Sequence, residues 1–217
     1  MKTFVRTICC ITIILLSGSN VNAQESVARF GVKAGMNYSG SYGDDNSPKS
    51  KAGINIGITL DFRLSSDIYL LTGLDYSVKG GKGKPYEITD NDGRKFMLTQ
   101  TDKPVYLQLP LHAGYKFDVP DFKIMPHAGF YMAYGVGGKA EYKYEPLDGG
   151  AGSTSKIDFF GVGIGKFDYG AGIGVNTEYR KFVLDLGYDW GLREFAKDFG
   201  NGKGKAKSGY LTLGYKF

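Results

Sequence analysis

Cysteine, tryptophan and proline are all scarce in this chain, at two, one and seven residues in 217. Both cysteines, Cys9 and Cys10, lie near the N-terminus, so the rest of the chain can form neither a disulfide framework nor a thiolate metal site. Long apolar runs are missing as well. After residue 16 nothing approaches the roughly 20 apolar residues of a membrane-spanning helix, so a membrane crossing would require a closed β-barrel, the other arrangement that satisfies every backbone polar group. Charge imbalance is slight: the formal net charge of +5 loses two when Lys2 and Arg6 are discounted, too little to argue for a nucleic-acid partner. The glycine strings Gly161-Val162-Gly163-Ile164-Gly165 and Gly170 to Gly174 lack the Gly-Lys-Ser/Thr ending and strand-loop-helix setting of a phosphate cradle. Barrel strands are the expected home for both.

Glycine, tyrosine and phenylalanine are abundant, at 33, 16 and 14 residues. The N-terminus has three parts: Lys2 and Arg6, an apolar run from Ile8 to Leu16, and a polar stretch ending Val21-Asn22-Ala23. This is the pattern of a secretory signal peptide. Cleavage after Ala23 is expected, dividing the chain into a signal peptide (1–23) and one outer-membrane domain (24–217) exported through the Sec pathway.

Apolar and polar residues then alternate in eight segments, at 29–38, 53–64, 68–79, 105–117, 122–136, 167–179, 182–190 and 209–217. In the second, Ile54, Ile56, Ile58, Leu60, Phe62 and Leu64 stand against Asn55, Gly57, Thr59, Asp61 and Arg63. Period-two alternation gives each strand one apolar and one polar face. The connections alternate too. Short ones lie around Ser65-Ser66, residues 118–121 and Arg180-Lys181; long ones, rich in Gly, Lys, Asp and Asn, occupy 39–52, 80–104, 137–166 and 191–208. Short periplasmic turns and long external loops are the arrangement of an outer-membrane barrel. The expected fold is therefore all-β, an eight-stranded antiparallel transmembrane β-barrel. Aromatics fall near both strand ends, as an interfacial girdle requires: Phe62, Phe117, Phe122, Tyr179, Phe182 and Phe217 by the turns, Tyr38, Tyr76, Tyr134, Tyr188 and Trp190 by the loops. A soluble barrel would reverse the faces and have to hold nearly every aromatic inside.

The inward charges are Arg29, Lys33, Arg63, Lys79, Lys116, Lys123 and Lys216 against Asp61, Asp75, Asp168, Glu178, Asp185 and Asp189, a near balance. An eight-stranded barrel is just wide enough for side chains to fill it, so these charges should pair rather than line a channel. A lumenal polar network is expected from Lys33, Asp61, Arg63, Asp75, Lys116, Lys123, Asp168, Glu178, Asp185 and Asp189 with His112 and His127. Arg63 is the expected partner of Asp61 or Asp75. Inward glycines should make room for Tyr69, Tyr106, Tyr131 and Tyr210. The two histidines could form a hydrolase pair, but no serine neighbours either one, and a lipid-modifying site needs its groups at the lipid-facing surface. Without a third ligand at useful spacing they make no metal site. No catalytic residue, cofactor or metal is expected. Pro110 and Pro126 each cost a ladder hydrogen bond in a barrel without free edges, and a bulge is expected near each.

Several segments resemble the porin family of small outer-membrane β-barrel proteins common in Bacteroidetes. They are Phe30-Gly31-Val32-Lys33-Ala34-Gly35-Met36-Asn37, Tyr106-Leu107-Gln108-Leu109-Pro110-Leu111, Phe167-Asp168-Tyr169-Gly170 with Gly172 and Gly174, Gly187-Tyr188, and the closing Gly214-Tyr215-Lys216-Phe217. The resemblance covers nearly all of the chain beyond residue 23. It implies residence in the Gram-negative outer membrane, with outer-membrane lipids and the barrel assembly machinery as partners, the latter reading Tyr215 and Phe217 at the C-terminus. Loop lysines such as Lys82, Lys84, Lys203, Lys205 and Lys207 could meet lipopolysaccharide phosphates. A structural or surface-interaction role is the first expectation. Passive transport of small solutes is the second and a lipid-modifying enzyme the third.

Overall fold

The computed structural model describes residues 27–43, 49–162, 165–194 and 204–217. The expected signal peptide, its cleavage after Ala23 and the loop residue Lys203 lie outside the described residues. Twelve strands are found among them: β1 (Ala28–Tyr42), β2 (Lys49–Arg63), β3 (Ile68–Val78), β4 (Gly81–Lys82), β5 (Tyr86–Thr89), β6 (Lys95–Tyr115), β7 (Phe117–Val119), β8 (Phe122–Pro146), β9 (Ser153–Asp158), β10 (Phe167–Tyr179), β11 (Phe182–Glu194) and β12 (Lys205–Lys216). One 3₁₀ turn, Phe159–Val162, follows β9.

Eight of the strands pair antiparallel in the cyclic order β1-β2-β3-β6-β8-β10-β11-β12 and back to β1. The closing seam runs from Gly31 opposite Lys216 to Tyr42 opposite Lys205. Beyond it the Phe217 N–H donates to the Phe30 carbonyl at 2.9 Å, and the two rings stack at 5.5 Å. Closure removes the unpaired edges that an open sheet would expose.

The ring is inside-out relative to a water-soluble protein. Ile54, Ile56 and Ile58 of β2, Phe130 and Met132 of β8, and Leu211 and Leu213 of β12 are all exposed. The residues between them point inward. Asp61, Asp75, His112, Asp189, Thr212 and Lys216 are each buried to 5% exposure or less. A continuous belt of this kind far exceeds the apolar patches that water-soluble monomers expose, so the faces are those of a membrane barrel rather than of a soluble one. Aromatic contacts rim the short-turn end, where Tyr215 lies 5.5 Å from Phe182 and 5.4 Å from Phe217, and Phe122 lies 5.1 Å from Tyr179.

Three expectations are corrected. The long gaps at 80–104 and 137–166 are not simple loops. β6 and β8 run 21 and 25 residues, about twice what crosses a membrane, and β5 and β9 pair with their upper ends. The apolar alternation marks only the lipid-facing stretch; above it the strands continue as Lys-Ala-Glu-Tyr-Lys-Tyr-Glu (139–145), a polar pattern that still has period two. The Gly161–Gly165 string starts in the 3₁₀ turn, not on a strand.

The prolines produce no bulge. Opposite Pro110 the β3–β6 pairing is interrupted and resumes in the same register, and the Thr72 hydroxyl donates to the Pro110 carbonyl at 2.7 Å. Pro126 pairs with Val175 on one side and on the other faces the break between β6 and β7, where no ladder donor is required. The bulge occurs instead higher up, where Val105 pairs with Gly137 but Tyr106 with Gly135, leaving Val136 as an extra residue.

Candidate functional site

Inward side chains stack in three layers along the lumen. The lowest, at the short-turn end, is an ion cluster. Lys216 Nζ lies 2.5 Å from Asp61 and 3.1 Å from Glu178; Arg29 reaches Glu178 at 2.8 Å and Asp61 at 3.6 Å. Lys123, whose side chain is half exposed, touches Glu178 at 3.6 Å, and Lys116 pairs with the exposed Asp118 at 3.1 Å. Arg29, Asp61, Lys123, Glu178 and Lys216 come from β1, β2, β8, β10 and β12, so the cluster ties the closing seam to the far wall. Arg63 is not the cation that serves Asp61 or Asp75: those carboxylates are held by Lys216 with Arg29 and by Lys33, while Arg63 Nε donates to the Ser65 carbonyl at 3.2 Å. At the last residue of β2, Arg63 is at the barrel's rim rather than inside it.

The middle layer holds Lys33 Nζ 2.9 Å from Asp75 and Gln108 Nε2 donating to Asp189 at 2.8 Å. His112 and His127 meet through their Nδ1 atoms at 2.8 Å, and His127 Nε2 lies 3.1 Å from Asp185. An ionised carboxylate only accepts, so His127 carries its proton on Nε2; its Nδ1 then accepts from His112, and His112 Nε2 is left as an acceptor. This is an oriented chain in the interior of the barrel, away from the lipid face that a lipid-modifying site would use. Glycines of the facing strand make room for it: a Cβ at Gly174 would strike the His127 ring. Gly170 and Gly187 do the same for Tyr131 and Tyr210.

The upper layer is Lys79, Asp168, Tyr106 and Tyr131. Lys79 Nζ lies 3.7 Å from Asp168 and 4.7 Å from the centre of the Tyr131 ring, and the Tyr131 hydroxyl donates to Asp168 at 3.2 Å. Phe160, delivered by the 3₁₀ turn, packs edge-on to Tyr106 at 5.7 Å and closes with Phe159 and Ala140 over this layer. Sequence reading missed this cap because nothing in an apparently structureless loop marked Phe159 and Phe160 as inward. The Phe-Phe pair between glycine-rich stretches was the available signal.

The space left in the lumen is divided. The middle layer encloses a cavity of about 50 Å³, a smaller one of about 30 Å³ adjoins it below, and a third of about 90 Å³ lies at the mouth beside Lys79 and Phe159.

Outside the ring, β5, the upper halves of β6 and β8, and β9 form a four-stranded antiparallel sheet in that order. The bulge at Val136 sets its faces. On the side continuous with the lumen lie Tyr86, Ile88, Phe96, Leu98, Tyr142 and Tyr144; on the other, Lys95–Glu87, Lys103–Glu141 and Lys143–Glu145 pair at 2.8, 3.2 and 2.6 Å. β9 is exposed along all six residues.

Residues 22–197 match the family described as Outer membrane protein beta-barrel domain. No curated protein matches the chain. Among solved structures, the chain is similar to Neisserial surface protein A (18% identity, 88% of this chain and 100% of that one covered, TM-score 0.42). It is also similar to the Yersinia pestis attachment invasion locus protein Ail (12%, 88% and 100%, 0.41) and the N-terminal β-barrel domain of Pseudomonas aeruginosa OprF (15%, 85% and 97%, 0.28).

Proposed function

The chain belongs to the outer membrane protein β-barrel domain family of the Gram-negative outer membrane, and from that premise we propose that it is a surface-interaction protein: a filled barrel that carries a rigid β-sheet beyond the membrane. The observation that supports this is the protruding sheet. A barrel that served only to seal or stabilise the membrane would need strands of about 10 residues, whereas β6 and β8 continue far past that length and recruit β5 and β9. Among the described residues the outer strands of the sheet each have one unpaired edge, and main-chain edges of this kind accept a partner's extended segment.

In this reading the short turns face the periplasm and the sheet faces outward. The chain is a Bacteroidetes-type member of the porin family that leaves the cytoplasm through the Sec pathway by its residues 1–23, and the assembly machinery reads Tyr215 and Phe217. Lys82, Lys84, Lys205 and Lys207 stand at the outer end for lipopolysaccharide phosphates. Solute transport fits less well, because ion pairs and tyrosines cross the lumen in three layers. Catalysis at the lipid face fits less well, because the histidine chain points into the lumen.

The test is a trimmed barrel in which residues 83–101 and 140–161 are replaced by short turns. It should still insert and remain heat-modifiable, while cells displaying it lose the adhesion to one another or to matrix proteins that the full-length barrel confers. Equal adhesion by the two would defeat the surface reading, and large, steady conductance of the full-length barrel in planar bilayers would favour transport.

A further inference from the structure

The middle layer is short of positive charge and of hydrogen-bond donors at the same place. Its carboxylates are Asp75, Asp185 and Asp189; its one fixed cation is Lys33. Even with a proton on His127 the layer stays one charge negative. The neighbouring layers do not make this good: Lys216 and Arg29 are committed to Asp61 and Glu178, Lys123 is half exposed, and Lys79 is matched by Asp168. Uncompensated charge in such an interior is costly.

Apart from His112 Nε2, whose role follows the protonation of His127, the donor shortage is independent of that count. Asn55 Oδ1, Asp75 Oδ1, Gln108 Oε1, His112 Nε2 and Asn176 Oδ1 are buried without a hydrogen-bond partner, and all five residues line the same cavity of about 50 Å³. Asn55, Asp75, Gln108 and His112 are each more than nine-tenths buried. Gln108 cannot relieve the shortage by turning its amide, because its NH₂ is committed to Asp189. Five acceptors from β2, β3, β6 and β10 thus converge on one space.

We propose that this cavity is a binding site for one hydrated alkali cation. The chemistry selects that class. Carboxylate and amide oxygens suit hard cations, and among the described residues no three His, Cys, Asp or Glu side chains converge as a direct chelate for a metal ion, so the cation keeps its hydration water. The cavity admits roughly three to five water-sized guests, enough for a cation and the waters that carry its field to His112 Nε2 and Asn176 Oδ1. The cation supplies the missing charge, and its waters supply the missing donors. The site needs only the lumen and stands apart from the surface role proposed above.

The test refolds the full-length barrel from urea into detergent in rubidium chloride or, at equal ionic strength, in N-methylglucamine chloride, a cation too large for the cavity. Rubidium should raise the midpoint of the heat-modifiability transition by roughly 3 to 6 °C, and the difference should vanish in Asp189→Asn, which should gain stability in N-methylglucamine. Crystals grown in rubidium should show an anomalous peak among Asp75, Gln108 and Asp189. Equal midpoints in the two salts, with water alone in the cavity, would mean that a proton carries the missing charge and would overturn the proposal.

Discussion

Inside the barrel Lys216 lies 2.5 Å from Asp61; on the protruding sheet Lys143 lies 2.6 Å from Glu145. The two contacts are almost the same length, yet their side chains are 6% and 4% exposed in the first pair and 57% and 50% in the second. Bulk water competes for the second pair and is largely excluded from the first. The buried pair therefore behaves as part of the architecture, where losing one partner strands a charge, while the exposed pair keeps a surface soluble and contributes little to stability. Ion pairs in this molecule have to be read by their surroundings rather than by their distances.

The strongest test of that contrast is Lys216→Met. It leaves Asp61 with Arg29 alone and Glu178 with Arg29 and the half-exposed Lys123, and should cost about 3 to 5 kcal/mol, read as a lower urea midpoint for the barrel in detergent micelles. A loss near that of a surface pair would mean that water reaches the ion cluster. Next is Phe160→Ala, at the joint between the two regions, which should cost roughly 2 to 4 kcal/mol. Its effect should be regional: faster proteolysis within residues 86–102 and 139–158, with insertion and heat-modifiability of the ring unchanged. If the ring weakened equally, barrel and sheet would be a single cooperative unit. Lys143→Ala should change the urea midpoint by no more than about 0.5 kcal/mol equivalent, and a larger change would blur the contrast.

The smallest effect is a titration. Lys103, 3.2 Å from Glu141, holds that carboxyl below its ordinary range. A depressed carboxyl contributes stability that is present above its unfolded value and lost as pH falls through its folded one. Lys103→Ala should therefore move the Glu141 titration upward when it is followed by carboxyl NMR shifts, and an unmoved titration would remove the pairing from solution.

The membrane-spanning part of the fold was legible because lipid enforces a strict rule. Every second residue along β2 or β12 had to be apolar, and closure followed from the need to satisfy every backbone polar group in lipid. The layers were partly legible, since alternation identifies inward residues but not their partners. Asp61 and Asp75 were recognised as lumenal, yet their cations Lys216 and Lys33 come from β12 and β1, each two strands away around the ring, rather than from Arg63. Pairing across a closed ring depends on strand stagger, which a single sequence does not state. The protruding sheet was the least legible region, because above the membrane neither face must be apolar and the alternation there involves tyrosine and charge instead of leucine.

The extra residue at Val136 also has an evolutionary meaning. Below it the odd positions of β8 belong to the lumen; above it the even ones do. A single residue thus works like a frame marker, so that the segment beyond it can be rewritten, lengthened or exchanged without altering which side chains meet lipid. A lineage under pressure to change what it shows to the outside could vary the upper strands freely, provided that the Gly135-Val136-Gly137 step is kept. Losing one residue there would turn the ionic side of the sheet inward and leave its tyrosines facing out.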